Sequence, residues 1–190
     1  MFMDKYLAET PSIDYMNSHI QEKVCELKNQ STDDADYIKR CYFFVRDEIP
    51  HSWDIGVNTV SRTASDTLIN KTGICWAKSC LLAALLRANA IPSGISYQLL
   101  TIAEDDSQGH IVHALNTLFN GNKWIRIDAR GNAGDSDGEF SLDKDQLAFQ
   151  VREEFGGIDY KDNNADLDER LVNALAQTDN LFEIKIDFDF

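Results

Sequence analysis

Cys75, His113 and Asp128 are the side chains whose types and spacing point to covalent chemistry. Cys75 follows Gly73-Ile74 and opens the run Cys75-Trp-Ala-Lys-Ser-Cys-Leu-Leu-Ala-Ala-Leu-Leu-Arg-Ala88, which is rich in strong helix formers. A thiol in the first turn of a buried helix meets unpaired backbone N–H groups and the positive end of the helix dipole. Both stabilise the thiolate, the reactive form. His113 and Asp128 fall on two alternating runs joined by Asn120-Gly121, a strong hairpin signal. A two-residue loop there, or a four-residue loop over 119–122, sets His113 directly opposite Asp128 on the same face, with Cβ atoms about 5 Å apart. An imidazole held by a carboxylate and set beside a thiolate is the apparatus of acyl transfer. The sulfur attacks an amide or ester carbon, the imidazole protonates the leaving group, and the carboxylate fixes the tautomer.

Such a reaction also needs donors for the developing oxyanion. The backbone N–H of Cys75 is the expected first donor, and Trp53 and His51 are candidates for the second by position. Trp76, next to the thiol, and Arg130, just past the aspartate, are candidate substrate contacts. The competing readings are a core role for Trp76 and a bracing or surface role for Arg130. No metal or other cofactor is expected. Cys75, Cys80, His110 and His113 include no Cys-x-x-Cys pair, and strand alternation puts the two histidines on opposite faces. Asp135-Ser-Asp137-Gly138 has the look of a calcium loop, but Ala133 and Lys144 stand where its acids belong.

The elements that must position these residues are legible as periodicities. Thr10-Pro11 reads as a helix start, followed by Ile13, Met16, Ile20, Val24 and Leu27 at helical spacing. A second helix opens at Ser31-Thr-Asp-Asp34, carries Ile38, Cys41, Tyr42, Val45 and Ile49 on one stripe, and ends at Pro50. Cys25 and Cys41 fall on or near these stripes and are expected in the core. Residues 51–64 read as a loop and Ser65 to Asn70 as a short helix. Gly73 is expected to make a tight turn with positive φ before the cysteine helix, which stops at Asn89 before Ile91-Pro92. Strands are expected over Ser93 to Ile102, His110 to Phe119 and Lys123 to Asp128. Beyond them lie a short helix at Ser141 to Gln150, a helix at Asp166 to Gln177, and a closing strand alternating through Phe182, Ile184, Ile186, Phe188 and Phe190. The pattern is α+β and predicts one domain over 1–190, with N-terminal helices (1–50), a catalytic core (65–132) and a C-terminal helix and strand extension (133–190).

The 190 residues are 43% hydrophobic and 26% charged, the balance of an ordinary globular protein. A net charge of -14 opposes nucleic-acid and anionic-membrane binding. No apolar run reaches the length of a membrane span and no signal peptide is evident, so the expectation is a cytoplasmic protein with reduced thiols.

Gly73-Ile-Cys-Trp-Ala-Lys-Ser-Cys-Leu-Leu-Ala-Ala-Leu-Leu-Arg-Ala-Asn-Ala-Ile-Pro92 resembles the cysteine block of the transglutaminase-like superfamily. His113-Ala-Leu-Asn and Trp124-Ile-Arg-Ile-Asp128 resemble its histidine and aspartate blocks, in the same order, so the likeness spans about residues 40 to 132. It is greatest to the compact bacterial single-domain members. Ala114 departs from the glycine or aromatic often found there. The resemblance implies a papain-like fold, with the cysteine helix packed on an antiparallel sheet that carries the other two residues. It also implies Cys75 as nucleophile, His113 as base and acid, and Asp128 as orienter. The expected substrate is a peptide, a protein or a small amide, attacked through a thioester, with hydrolysis favoured over cross-linking. The alternative is a catalytically silent binding module that keeps the fold to hold a peptide or protein.

Overall fold

The apolar residues of the first fifty positions repeat at helical spacing, and helices result. The computed structural model describes residues 3–130, 140–145 and 147–184. Helix α1 (Ser18–Asn29) buries Ile20, Val24 and Leu27. It starts later than Thr10-Pro11 because Thr10 and Ile13 exchange backbone hydrogen bonds in a tight turn, and the Asn17 side chain caps the N–H of His19. Helix α2 (Asp34–Phe43) is capped by the Asp33 carboxylate, which accepts from the N–H of Asp36. It runs on into a π-type turn, Phe44–Glu48, that ends before Pro50. Cys41 is buried, but Cys25 is exposed. Cys25 follows Val24 by one position and so turns off the apolar stripe, contrary to expectation.

Helix α3 (Ala64–Asn70) is capped by Thr63 and ends where Lys71 takes a left-handed φ of 53°. Helix α4 (Cys75–Ala88) is buried along nearly its whole length and packs against α1, α2 and α3. Gly73 precedes it without the positive φ expected of it. Space is what this glycine provides: a Cβ there would lie 2.9 Å from Ala77 Cβ and 3.1 Å from Thr67 Cγ2.

Strands β1 (Ser93–Thr101), β2 (His110–Phe119), β3 (Trp124–Ile127) and β4 (Ile158–Asn164) form an antiparallel sheet in the order β3-β2-β1-β4. Helix α4 also lies against β1 and β2, with Trp76 Nε1 donating to the carbonyl of Val112 and Asn116 Nδ2 to that of Ser79. β4 was not legible in the sequence. It is an edge strand of polar residues, Ile158-Asp-Tyr-Lys-Asp-Asn-Asn164, without the alternation that burial of one face imposes.

The β2–β3 loop spans 120–123, with the N–H of Asn120 donating to the carbonyl of Lys123 and Gly121 at φ 93°. The ladder therefore pairs Phe119 with Trp124 and Asn116 with Ile127. This register is two residues away from the one that opposes His113 and Asp128. A shift of two keeps every side chain on its face, where a shift of one would have reversed them.

Several expectations for the tail are corrected. No helix forms over the described residues between Ser141 and Gln150, which are bends and irregular chain. Helix α5 (Glu169–Ala176) starts after Asp168, whose carboxylate accepts from the N–H of Arg170. Phe182 lies in a 3₁₀ turn, Leu181–Glu183, rather than a strand. Ile186, Phe188 and Phe190, like Asp135-Ser-Asp137-Gly138, lie outside the described residues. Among the described residues no helix is long and apolar enough to cross a membrane.

Candidate active site

Cys75 is the first residue of α4, and Ile74 before it supplies no side-chain cap. The cap comes from elsewhere: the N–H of Cys75 donates to His51 Nε2 at 3.1 Å. An accepting Nε2 places the proton of a neutral His51 on Nδ1. That atom is buried without a hydrogen-bond partner among the described residues and lies 3.9 Å from Asp54 Oδ1. The expected oxyanion donor, the Cys75 N–H, is thus engaged by one of the residues proposed to assist it. Trp53, the other candidate, is half-exposed, with its ring 5.8 Å from that of His51.

On the other side of the thiol, His113 Nε2 is 2.7 Å from Asp128 Oδ2, and both side chains are buried. Asp128 lies just past the end of β3 and reaches the ring along a diagonal. Its carboxylate also accepts the N–H of Arg130 on Oδ1 (2.9 Å) and the N–H of Ala148 on Oδ2 (3.1 Å). Tyr42 Oη donates to its backbone carbonyl. With Nε2 committed to Asp128, Nδ1 is the nitrogen that His113 has left for the sulfur of Cys75, the group with which its ring interacts electrostatically.

The charges follow from these contacts. Burial alone would raise the Cys75 thiol. The charged His113 ring beside it more than offsets this, with a smaller contribution from His51, and brings it down to about 5. Burial likewise opposes the His113 imidazolium, but Asp128 and the sulfur outweigh it and raise the ring to about 10. Asp128, despite burial, is held below the usual carboxylate range by His113 and the two backbone N–H groups. Cys41 and Cys80 show what burial does without such a neighbour. Their thiols are pushed up, Cys41 to about 12. A thiolate–imidazolium pair is therefore specific to Cys75 among the buried cysteines.

The remaining expected contacts divide. Trp76 is turned inward, 2% exposed, wedged between α4 and β2 by its hydrogen bond to Val112, so it is a core residue rather than a substrate wall. Arg130 does line the cleft beside Cys75, but its guanidinium grips Asp54 with two parallel bonds, Nη1–Oδ2 at 2.7 Å and Nη2–Oδ1 at 2.8 Å. It braces the loop that carries His51 and Trp53. His110 and His113 point to opposite faces, and His110 bonds to the carbonyl of Phe155. Among the described residues no three His, Cys, Asp or Glu side chains converge as metal ligands would.

Two features escaped the sequence reading. Lys78, one turn beyond Cys75, is 1% exposed. Its Nζ donates to the carbonyls of Ile49 (2.5 Å), Arg130 (3.2 Å) and Arg46 (3.4 Å). It ties the cysteine helix to the segment before His51 and to the turn after Asp128. A lysine inside a largely apolar helix was the available signal. The second feature is the strap 147–152, which had no signal at all. Ala148 donates to Asp128, and the ring of Phe149 stands edge-on to that of His113 at 5.0 Å.

The sequence-family model described as the transglutaminase-like superfamily matches residues 21–129. Among curated proteins no sequence matches the chain. The solved structures similar to it include a candidate cysteine protease from Cytophaga hutchinsonii. That likeness has 19% identity and a TM-score of 0.55, and covers 68% of this chain and 42% of that one. Another is the periplasmic domain of TgpA from Pseudomonas aeruginosa, at 14% identity and a TM-score of 0.49, covering 67% of this chain and 48% of that one. The chain spans less than half the length of either.

Proposed function

Since the chain belongs to the transglutaminase-like superfamily, we propose that it is a cysteine enzyme that attacks an amide, a peptide bond or glutamine carboxamide, through a thioester. The observation that carries this reading is the buried His113–Asp128 pair, 2.7 Å apart, whose charged ring lines the same cleft as Cys75 and lowers its thiol.

Each residue then has a defined task. The thiolate of Cys75 adds to the amide carbon. The carbonyl oxygen, now an anion, settles at the mouth of α4 and takes the N–H of Cys75 in place of His51 Nε2, with Trp53 bordering the same space. His113 passes its Nδ1 proton to the departing nitrogen, and Asp128 keeps the ring oriented while it changes charge. Water then adds to the thioester, with His113 as base, and the thiolate is released. Water is the default acceptor, so hydrolysis is favoured over cross-linking. The substrate is a peptide, a protein or a small amide, with no cofactor. The four cysteines are free thiols, which suits a reducing, cytoplasmic compartment.

Iodoacetamide tests the reading. Cys75 is expected to alkylate at pH 6 far faster than an unperturbed thiol, and a glutamine-containing peptide library should leave an acyl adduct on Cys75 by mass spectrometry. A Cys75 no more reactive than free cysteine, with no adduct, would instead favour the silent binding module.

A further inference from the structure

The cleft beside Cys75 and His113 has a volume of about 760 Å³. Large apolar side chains line it: Leu100 and Ile111 from the facing ends of β1 and β2, Ile102 just past β1, Phe149 from the strap, and Trp53 from the opposite loop. Three of them are left substantially in water, Ile102 at 54% exposed, Trp53 at 44% and Phe149 at 40%. Scattered exposed hydrophobics need no explanation, but several converging on one cavity mark a surface that something apolar covers. The cleft's cations are already engaged: Arg130 grips Asp54, and Arg152 Nη1 donates to the carbonyl of Ala103.

The position of Phe149 makes this informative about the reaction. The departing nitrogen must come to Nδ1 of His113 to collect its proton, so whatever that nitrogen carries is delivered to the neighbours of the ring. Phe149 is such a neighbour, 5.0 Å from the ring and held there by the bond from Ala148 to Asp128. Ammonia, the leaving group of a glutamine carboxamide, is too small to cover Phe149 and Ile102. An amine bearing a large apolar side chain would cover both.

We propose that the amide cleaved is a peptide bond whose amine-side residue is large and apolar, of the leucine or phenylalanine kind, selected by Phe149 and Ile102 in the cleft next to His113. This rests on Cys75 being the nucleophile. The C–S bond forms at the carbonyl carbon and the C–N bond breaks. The nitrogen takes the His113 proton and leaves as the new amino terminus of the apolar residue. Water then adds to the thioester, gives its proton to His113, and expels the Cys75 thiolate.

The test compares kcat/KM for one peptide series that varies only the amine-side residue (Leu, Phe, Gly, Asp) with ammonia release from glutamine peptides. Leu and Phe are expected to exceed Gly by at least about 10-fold, the usual reach of an apolar pocket, and to exceed ammonia release. Phe149→Ala and Ile102→Ser should each compress the Leu-to-Gly ratio severalfold. Ile102 is exposed just past a strand end, so its variant is the safeguard should Phe149→Ala fail to fold. Faster ammonia release, a flat series, an unchanged ratio in folded variants, or no peptide turnover at all would overturn the proposal. Iodoacetamide separates the two claims. A reactive Cys75 with any of these outcomes removes only the peptide-bond preference, whereas an inert Cys75 removes both.

Discussion

His113 and Asp128 are diagonal neighbours across β2 and β3. The ladder pairs Asn116 with Ile127, so one further step brings Asp128 level with Leu115, yet its Oδ2 still meets His113 Nε2 at 2.7 Å. A diagonal contact depends on side-chain length and on whatever holds the carboxylate in place. Two backbone N–H groups, of Arg130 and Ala148, do that holding.

Asp128→Asn should therefore damage the chemistry far more than the fold, which loses one acceptor because the amide offers a single oxygen to the N–H groups of Arg130 and Ala148. The amide keeps the shape but cannot stabilise the imidazolium or enforce the tautomer, and activity is expected to fall roughly 10³- to 10⁴-fold. Loss of the charged ring should also raise the Cys75 thiol, so alkylation at pH 6 slows. An Asn variant with wild-type alkylation would mean that His113 does not depend on Asp128.

The pH dependence of alkylation follows from the direction of the shifts. With the thiol lowered to about 5 and the ring raised to about 10, the ion pair dominates between those values. The rate should be level from roughly pH 6 to 9 and drop about tenfold per unit as pH falls below 5, where the thiolate takes up its proton. A sigmoid rising through pH 8 to 9 would show an ordinary thiol.

Lys78→Met should destabilise the protein by about 3 kcal/mol or more in urea titrations, because three carbonyls in a buried setting lose their donor. Burial, aided by the charge of Arg130, lowers Lys78 from 10.5 to about 8, against the pull of Asp128, Asp54 and Asp47. Between those two values the unfolded chain binds the proton and the folded one does not. Lys78 thus makes stability rise with pH from 8 to 10.5, and the Met variant should lack that slope. A variant within about 1 kcal/mol of wild type would show that other groups serve the three carbonyls.

Gly73→Ala should cost about 1–3 kcal/mol by crowding Ala77 and Thr67, and should slow alkylation by shifting the mouth of α4. Gly121→Ala is the comparison. It has a φ of 93° but no atom within 4 Å of the added Cβ, so it should cost about 1 kcal/mol and leave alkylation unchanged. Equal effects on alkylation would refute a packing role for Gly73. Thermal melts and the iodoacetamide rate read both variants.

Much of the molecule was legible because its patterns are local. Apolar spacing marked α4, β1, β2 and β3 to within a residue or two, and α2 only when taken together with the π-type turn that continues it to Glu48, since burial of one face imposes a period that the chain itself displays. The same parity put His113 and Asp128 on one face, and that inference survived a register error of two because strand faces repeat every second residue. The register itself was set by which residues close the loop, a choice that Asn120-Gly121-Asn122-Lys123 leaves open.

What the tertiary structure alone decided are contacts between segments far apart in the chain. His51 capping the N–H of Cys75, Lys78 gathering carbonyls from two other segments, Arg130 turned onto Asp54, and the strap that sets Phe149 against His113 leave no periodic trace. Each is settled by the three-dimensional path of backbone that no local preference encodes. The residues able to do the chemistry are written in the sequence; the donors that are occupied, and the surface a substrate meets, are consequences of how distant segments pack.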